Sequence, residues 1–227
     1  MRVRVSKSFG DGFEINRVRD AMILKELDPF YGRSGDEIAG RIAQDRMAYH
    51  LRRFFGKSEE IDVLNYLRVS SGDVVTHVDH LLLHPYGLLV VERDNLSGRV
   101  QIKDDGQWVR WRDDRPAEMR SPITRAYLRA LSLKAFLDKN VKQKGFFDAI
   151  ELDILVAVPD TGSIQWPTTG PLAEVCNADQ VHERVTQRVA QCRRAATVSG
   201  VLTSSERRRL GEFLCSLHRP LAKPAST

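Results

Sequence analysis

The stretch Thr76-His77-Val78-Asp79-His80-Leu81-Leu82-Leu83-His84-Pro85-Tyr86-Gly87-Leu88-Leu89-Val90-Val91-Glu92 decides the fold. Two apolar runs flank a Pro-Tyr dipeptide closed by a glycine, the pattern of two strands joined by a tight hairpin turn. If His84 pairs with Gly87, the antiparallel register carried back along both strands sets Asp79 opposite Glu92, and beyond them His77 opposite Asp94. Side chains directly opposite one another stand about 5 Å apart, where like charges destabilise a sheet. Two carboxylates so placed call for a cation between them, and divalent metal ions take such oxygen ligands. Side chains repeat every second residue along a strand, so His77, Asp79, Glu92 and Asp94 are expected on one face. The bland alternative is that the pairing frays before residue 92 and the acids are simply solvated.

Around this hairpin the chain has 227 residues and a formal net charge of +5. That length suits one sizeable domain with appendages. No apolar run approaches the roughly 20 residues of a membrane-spanning helix, and residues 1–7 lack the apolar core of a secretion signal. Cys176, Cys192 and Cys215 are odd in number and far apart, without a CxxC pair. This argues against a disulfide framework or a zinc site, and for a reducing, cytoplasmic setting. The positive charge permits nucleic-acid binding without demanding it. There is no P-loop, and no GxGxxG follows a strand.

The remaining segments divide into a lead-in over 1–31, a core over 32–160 and a helical extension over 161–227 that packs on the core. Ile15, Val18, Met22 and Leu27 predict a short helix ending near Asp28-Pro29. A second helix runs from Ser34 or Gly35 to Phe55, with Ala43, Met47, Leu51 and Phe54 on its apolar stripe, and Asp36 projects onto that stripe. Strands are predicted over 61–69, 98–102 and 107–111, the last two around the Asp104-Asp105-Gly106 turn. Ser121-Pro122 opens a helix carrying Ile123, Tyr127, Leu131 and Phe136. The apolar run 150–158 reads as a strand buried on both faces. Asn177 or Asp179 caps a further helix, and Thr203 with Glu206 caps a last one. This order predicts an α/β fold with a mixed sheet flanked by helices.

The run Asp79-His80, His84-Pro85-Tyr86-Gly87, then Val91-Glu92-Arg93-Asp94-Asn95-Leu96-Ser97-Gly98 resembles the nuclease-related domain family. Its pattern is an Ile/Val-Asp-His strand, a Pro-x-Gly turn and Glu-x-Lys-Asn-x-x-Gly. Gly32-Arg33-Ser34-Gly35-Asp36 is similar to the family's glycine-rich entry to its first helix. Trp108 matches a family tryptophan, and Ser121-Pro122-Ile123-Thr124-Arg125 is similar to its Asn-Pro-Ile-x-Gln helix start. The resemblance covers roughly residues 32–140, with the 150–158 strand behind it. It implies the restriction-endonuclease-like, PD-(D/E)XK fold. It further implies magnesium or manganese held by Asp79 and Glu92 with help from Asp36, and DNA as substrate. The chain departs from the family where the motif lysine becomes Asp94 and the motif glutamine becomes Arg125.

Two functions follow. The first is metal-dependent hydrolysis of DNA, with Asp79, Glu92 and Asp94 at the site and Arg125 supplying the cation that the lysine would have given. His77 would be a general base or outer ligand, with an idle strand histidine as the bland alternative. The second is a nuclease fold that has lost its chemistry and acts as a DNA-binding or protein-interaction module. There Arg184, Arg188, Arg193, Arg194, Arg207, Arg208 and Arg209 would meet phosphates, unless they are a solvated helix face, or the Arg-rich C-terminal helix ending Arg219-Pro220 would dock a protein partner. No membrane is expected as a partner.

Overall fold

The computed structural model describes residues 22–71, 74–93, 98–112, 114–141, 150–159, 162–195 and 202–223. In chain order the elements begin with β1 (Ile23–Lys25), α1 (Gly35–Phe55), β2 (Asp62–Ser71), β3 (Val74–His84) and β4 (Gly87–Arg93). They continue with β5 (Gly98–Ile102), β6 (Trp108–Arg112), β7 (Arg115–Met119), α2 (Pro122–Asn140) and β8 (Glu151–Val158). The chain closes with β9 (Gly162–Gln165), β10 (Val175–Asn177), α3 (Val181–Ala195) and α4 (Ser204–Leu217).

The β3–β4 hairpin forms the middle of a six-stranded sheet of order β1-β2-β3-β4-β8-β10. Strands β2, β3 and β4 run antiparallel, while β1, β8 and β10 join in parallel. A four-stranded sheet of order β7-β6-β5-β9 stands apart from it. The hairpin is apolar on both faces because both are covered. Leu81, Leu83, Leu88 and Val90 share a cluster with Ala126, Ala130 and Leu133 of α2 and Leu210 and Leu214 of α4. Leu82, Leu89 and Val91 pack instead with Met47 and Leu51 of α1 and Val181 and Val185 of α3. The expected mixed sheet with helices on both faces is what the chain forms.

Gly87 owes its place to a close approach. A Cβ there would overlap the backbone of Glu151 at the start of β8. The Glu151 N–H donates to the Tyr86 carbonyl at 3.0 Å, and the Leu202 N–H to the Pro85 carbonyl at 2.6 Å. The turn thus uses its spare carbonyls to hold β8 and the entry to α4. On the far side, the buried Arg207 of α4 donates to Asp62 of β2 at 3.1 Å and to the Glu59 carbonyl at 2.7 Å.

Several expectations are corrected. The lead-in helix, where it falls on described residues, is instead strand β1. The Val63 N–H needs an acceptor on that edge and takes the Met22 carbonyl at 2.7 Å, so the segment pairs rather than coils. Residues 1–21 lie outside the described residues. The stripe of α1 is Met47, Leu51 and Phe55, and Phe54 is largely exposed. The buried side of α2 is Ala126, Ala130, Leu133, Phe136 and Leu137, leaving Tyr127 and Leu131 exposed. Beyond residue 160 the chain is more than a helical extension, since β9 pairs with β5 and β10 with β8. Strands of three or four residues carry too little periodicity to be read from sequence.

Candidate active site

The hairpin ladder runs from His84 opposite Gly87 to His80 opposite Val91, the register read from the turn. The paired ladder ends there, and Asp79 and Glu92 are the next residue on each strand. Both are buried, 6% and 1% exposed, and the Arg93 N–H donates to Asp79 Oδ2 at 3.1 Å.

Strict alternation breaks at this level. Val78 joins the apolar cluster of Leu81 and Leu83, and across the ladder Leu67 joins that of Leu64. Counting in twos would put each on the opposite face. Between Leu64 and Leu67 sits Tyr66, whose φ of 53° is left-handed. That conformation is uncommon for an aromatic residue, and such outliers concentrate at functional sites. The shared face expected for His77 and Asp79 therefore does not follow from strand periodicity. His77 instead lines a groove beside α2.

The electrostatics centre on Glu92. Burial, and then the neighbouring Asp79 carboxylate, push its carboxyl up to about 7, against the pull of Arg129 and Arg125. Arg129 Nη1 donates to Glu92 Oε2. The other oxygen, Oε1, is buried and has no hydrogen-bond partner among the described residues. Burial, followed by the Arg129 charge, lowers the His77 imidazole below its ordinary value, so it is neutral at neutral pH. Burial and Asp79 raise the Tyr66 phenol. His80 lies completely buried, its Nδ1 2.8 Å from Asn65 Oδ1, and burial pushes it down to about 4. It belongs to the interior.

The cation comes from α2. Ser121 caps that helix by accepting the Thr124 N–H. Ala126 and Ala130, both fully buried, let it lie close to the sheet. Arg125 and Arg129 precede these alanines, one helical turn apart. Arg125 is near enough to act on Glu92, but Arg129 makes the bond. Sequence reasoning found the helix and missed Arg129. The i, i+4 spacing from Arg125 was the signal that pointed to it. Outside this pair runs a groove of about 700 Å3 whose lining includes His77, Arg120, Ser121, Thr124, Arg125 and Arg129.

Asp36 lies exposed in the first turn of α1. Most of the N-terminal half of that helix is exposed, and its first buried residue is Met47. It is Glu37 that is engaged there, in a capping box with Ser34. Among the described residues no group of three or more His, Cys, Asp or Glu side chains is placed to hold a metal ion, so Asp36 does not assemble with Asp79 and Glu92. Asp94 lies outside the described residues. The arginines proposed for phosphate are partly engaged with carboxylates. Arg188 pairs with Asp153, Arg193 with Glu60, Arg207 with Asp62 and Arg208 with Glu212.

A mixed sheet flanked by helices, with buried carboxylates side by side on adjacent strands, is consistent with a nuclease-like fold. The nuclease-related domain family matches residues 39–156, more than half of the chain, and the chain belongs to that family. No curated protein and no solved structure matches it. No described helix is long and apolar enough to cross a membrane.

Proposed function

We propose that this chain hydrolyses phosphodiester bonds of DNA with a divalent cation, magnesium or manganese, held by Asp79 and Glu92. The observation that carries the reading is the buried Oε1 of Glu92, without a hydrogen-bond partner among the described residues, near the Asp79 carboxylate. Magnesium is commonly bound by one or two carboxylates, with water and substrate phosphate completing its shell, and this donor set fits. When bound, such an ion polarises the phosphate and lowers the pKa of a coordinated water. The chain's own residues do the rest. Arg129 holds Glu92 Oε2 and fixes the carboxylate's orientation. Arg129 and Arg125 bring positive charge beside Glu92 from α2, able to face charge that develops on the phosphate. Arg120, Ser121 and Thr124 extend a polar, basic wall for the flanking backbone. The neutral His77 is able to accept a proton at the rim. Three cysteines with no disulfide among them suit a reducing, cytoplasmic setting.

One observation favours a second reading. Arg129 already neutralises Glu92, and a guanidinium bonded to a metal ligand also suits a fold that binds DNA without cutting it. Incubation of plasmid DNA with magnesium or manganese separates the two, with wild type compared against Asp79→Ala. Metal-dependent cutting by wild type alone supports hydrolysis. Salt-sensitive binding without cutting supports the binding module. Neither activity, together with a stable protein partner, would point to an interaction domain.

A further inference from the structure

Beside the N-terminal half of α1 lies a cavity of about 440 Å3, lined among others by Phe30, Tyr31, Gly40, Gln44, Tyr66 and Arg93. This volume is in the range of about 300–1,000 Å3 typical of small-ligand sites. Two of its walls touch the candidate active site. The backbone N–H of Arg93 donates to Asp79, and Tyr66 sits between Asn65 and Leu67, whose partners His80 and Val78 flank Asp79 on β3.

The cavity is built rather than incidental. A Cβ on Gly32 would overlap the Phe30 ring. The guanidinium carbon of Arg41 lies 5.8 Å from the centroid of that ring. Arg41 also donates to the Asp28 carbonyl at 2.7 Å and to Asp45 at 2.9 Å, which ties the Asp28–Tyr31 segment to α1. Gly40 leaves room for Arg93, whose Nη2 stands 3.8 Å from the place of the missing Cβ. The acids of the lining have other partners. Asp28 is bonded by Lys25 and His218, each at 2.9 Å, and Glu37 caps α1. Arg93 differs, because its Nε and Nη1 are buried with no hydrogen-bond partner among the described residues. Buried guanidinium donors of this kind call for an acceptor.

Aromatic rings stack on any base, and a guanidinium takes a phosphate oxygen or a base carbonyl. A base can enter such a cavity only when it is out of its stack. We propose that the cavity takes one unpaired nucleotide of a DNA strand whose backbone passes Asp79 and Glu92, so that the chain prefers single-stranded or frayed DNA to blunt duplex. This deepens the hydrolysis reading and rests on it for the path of the strand.

The test is fluorescence anisotropy at one fixed salt concentration in EDTA, where metal-dependent cutting is silent. The probes are a labelled oligothymidine and a blunt duplex of equal length. The proteins are wild type, Tyr31→Ala and Arg93→Gln, each checked by thermal melting. Tyr31 is 39% exposed, so its replacement leaves the core intact. The expected result is tighter binding of the single strand, weakened about tenfold by Tyr31→Ala and also weakened by Arg93→Gln, with duplex binding unchanged. Equal affinity for the two probes, or equal losses on both, overturns the proposal. Strand preference that persists in a protein cutting nothing with magnesium or manganese would retain the cavity and remove the hydrolysis. Cutting without strand preference and without a Tyr31 effect would do the reverse.

Discussion

Glu92→Gln should stabilise this protein, and by an amount that depends on pH. The Glu92 carboxyl is raised from 4.5 to about 7 in the folded state. At about 1.4 kcal/mol for each pH unit of displacement, holding it ionised above pH 7 costs on the order of 3 kcal/mol. Because the folded pKa is raised, the native state binds more protons than the unfolded chain between about 4.5 and about 7. Wild-type stability from this group is therefore complete below the unfolded value and is lost as pH rises through the folded one. Glutamine keeps the shape and removes the charge. The variant should exceed wild type by up to about 3 kcal/mol near pH 8, a figure that already includes the Arg129 attraction. The gap should shrink steadily towards pH 5. Urea unfolding without divalent metal, across about pH 5 to about pH 8, measures it. A stability difference that stays flat over that range, or a variant less stable throughout, would refute the account of Glu92 as a buried carboxylate crowded by Asp79.

Arg129→Gln removes a cation bonded to Glu92, and plasmid cutting with manganese should fall about a hundredfold, the usual scale for losing a charge-stabilising group; an unchanged rate would take Arg129 out of the chemistry. Arg207→Met leaves the buried Asp62 carboxylate without its guanidinium and should cost about 3–5 kcal/mol in chemical unfolding. A loss under about 1 kcal/mol would mean that Asp62, already raised by burial, simply takes up a proton. Gly87→Ala drives a methyl into the Glu151 backbone and should cost about 1–3 kcal/mol or more; a normal melting temperature would show that the β4–β8 seam can open at its end.

The hairpin was legible because a two-residue turn with a glycine fixes register, and register fixes which residues face each other across the strands. That reached the ladder from His84–Gly87 to His80–Val91, which ends one residue short of Asp79 and Glu92. It did not reach the orientation of His77, because the left-handed Tyr66 interrupts the period-two pattern, and a single residue's φ leaves no trace in hydropathy. Asp36 illustrates a second limit. Helical pitch gives direction around an axis but not how far the helix overhangs its sheet, so an acid on the right meridian ended in solvent. On α2 the reading chose large apolar residues for the buried side, whereas close packing required alanines. Arg125 stood out because it replaces the motif glutamine, and no motif marked Arg129. The four-stranded sheet was missed in part because β7 contains Pro116 and β9 has only four residues.

Asp79 and Glu92 lie on one hairpin, an element that in general closes within microseconds. Arg129 arrives on α2 and must wait until that helix docks. A folding chain thus passes through a stage at which two carboxylates have converged with no guanidinium beside them. Repulsion at that stage weighs on the barrier more than on the finished protein. Mild acid or a divalent cation should therefore accelerate refolding more than it retards unfolding, and the two arms of a chevron plot would show the asymmetry.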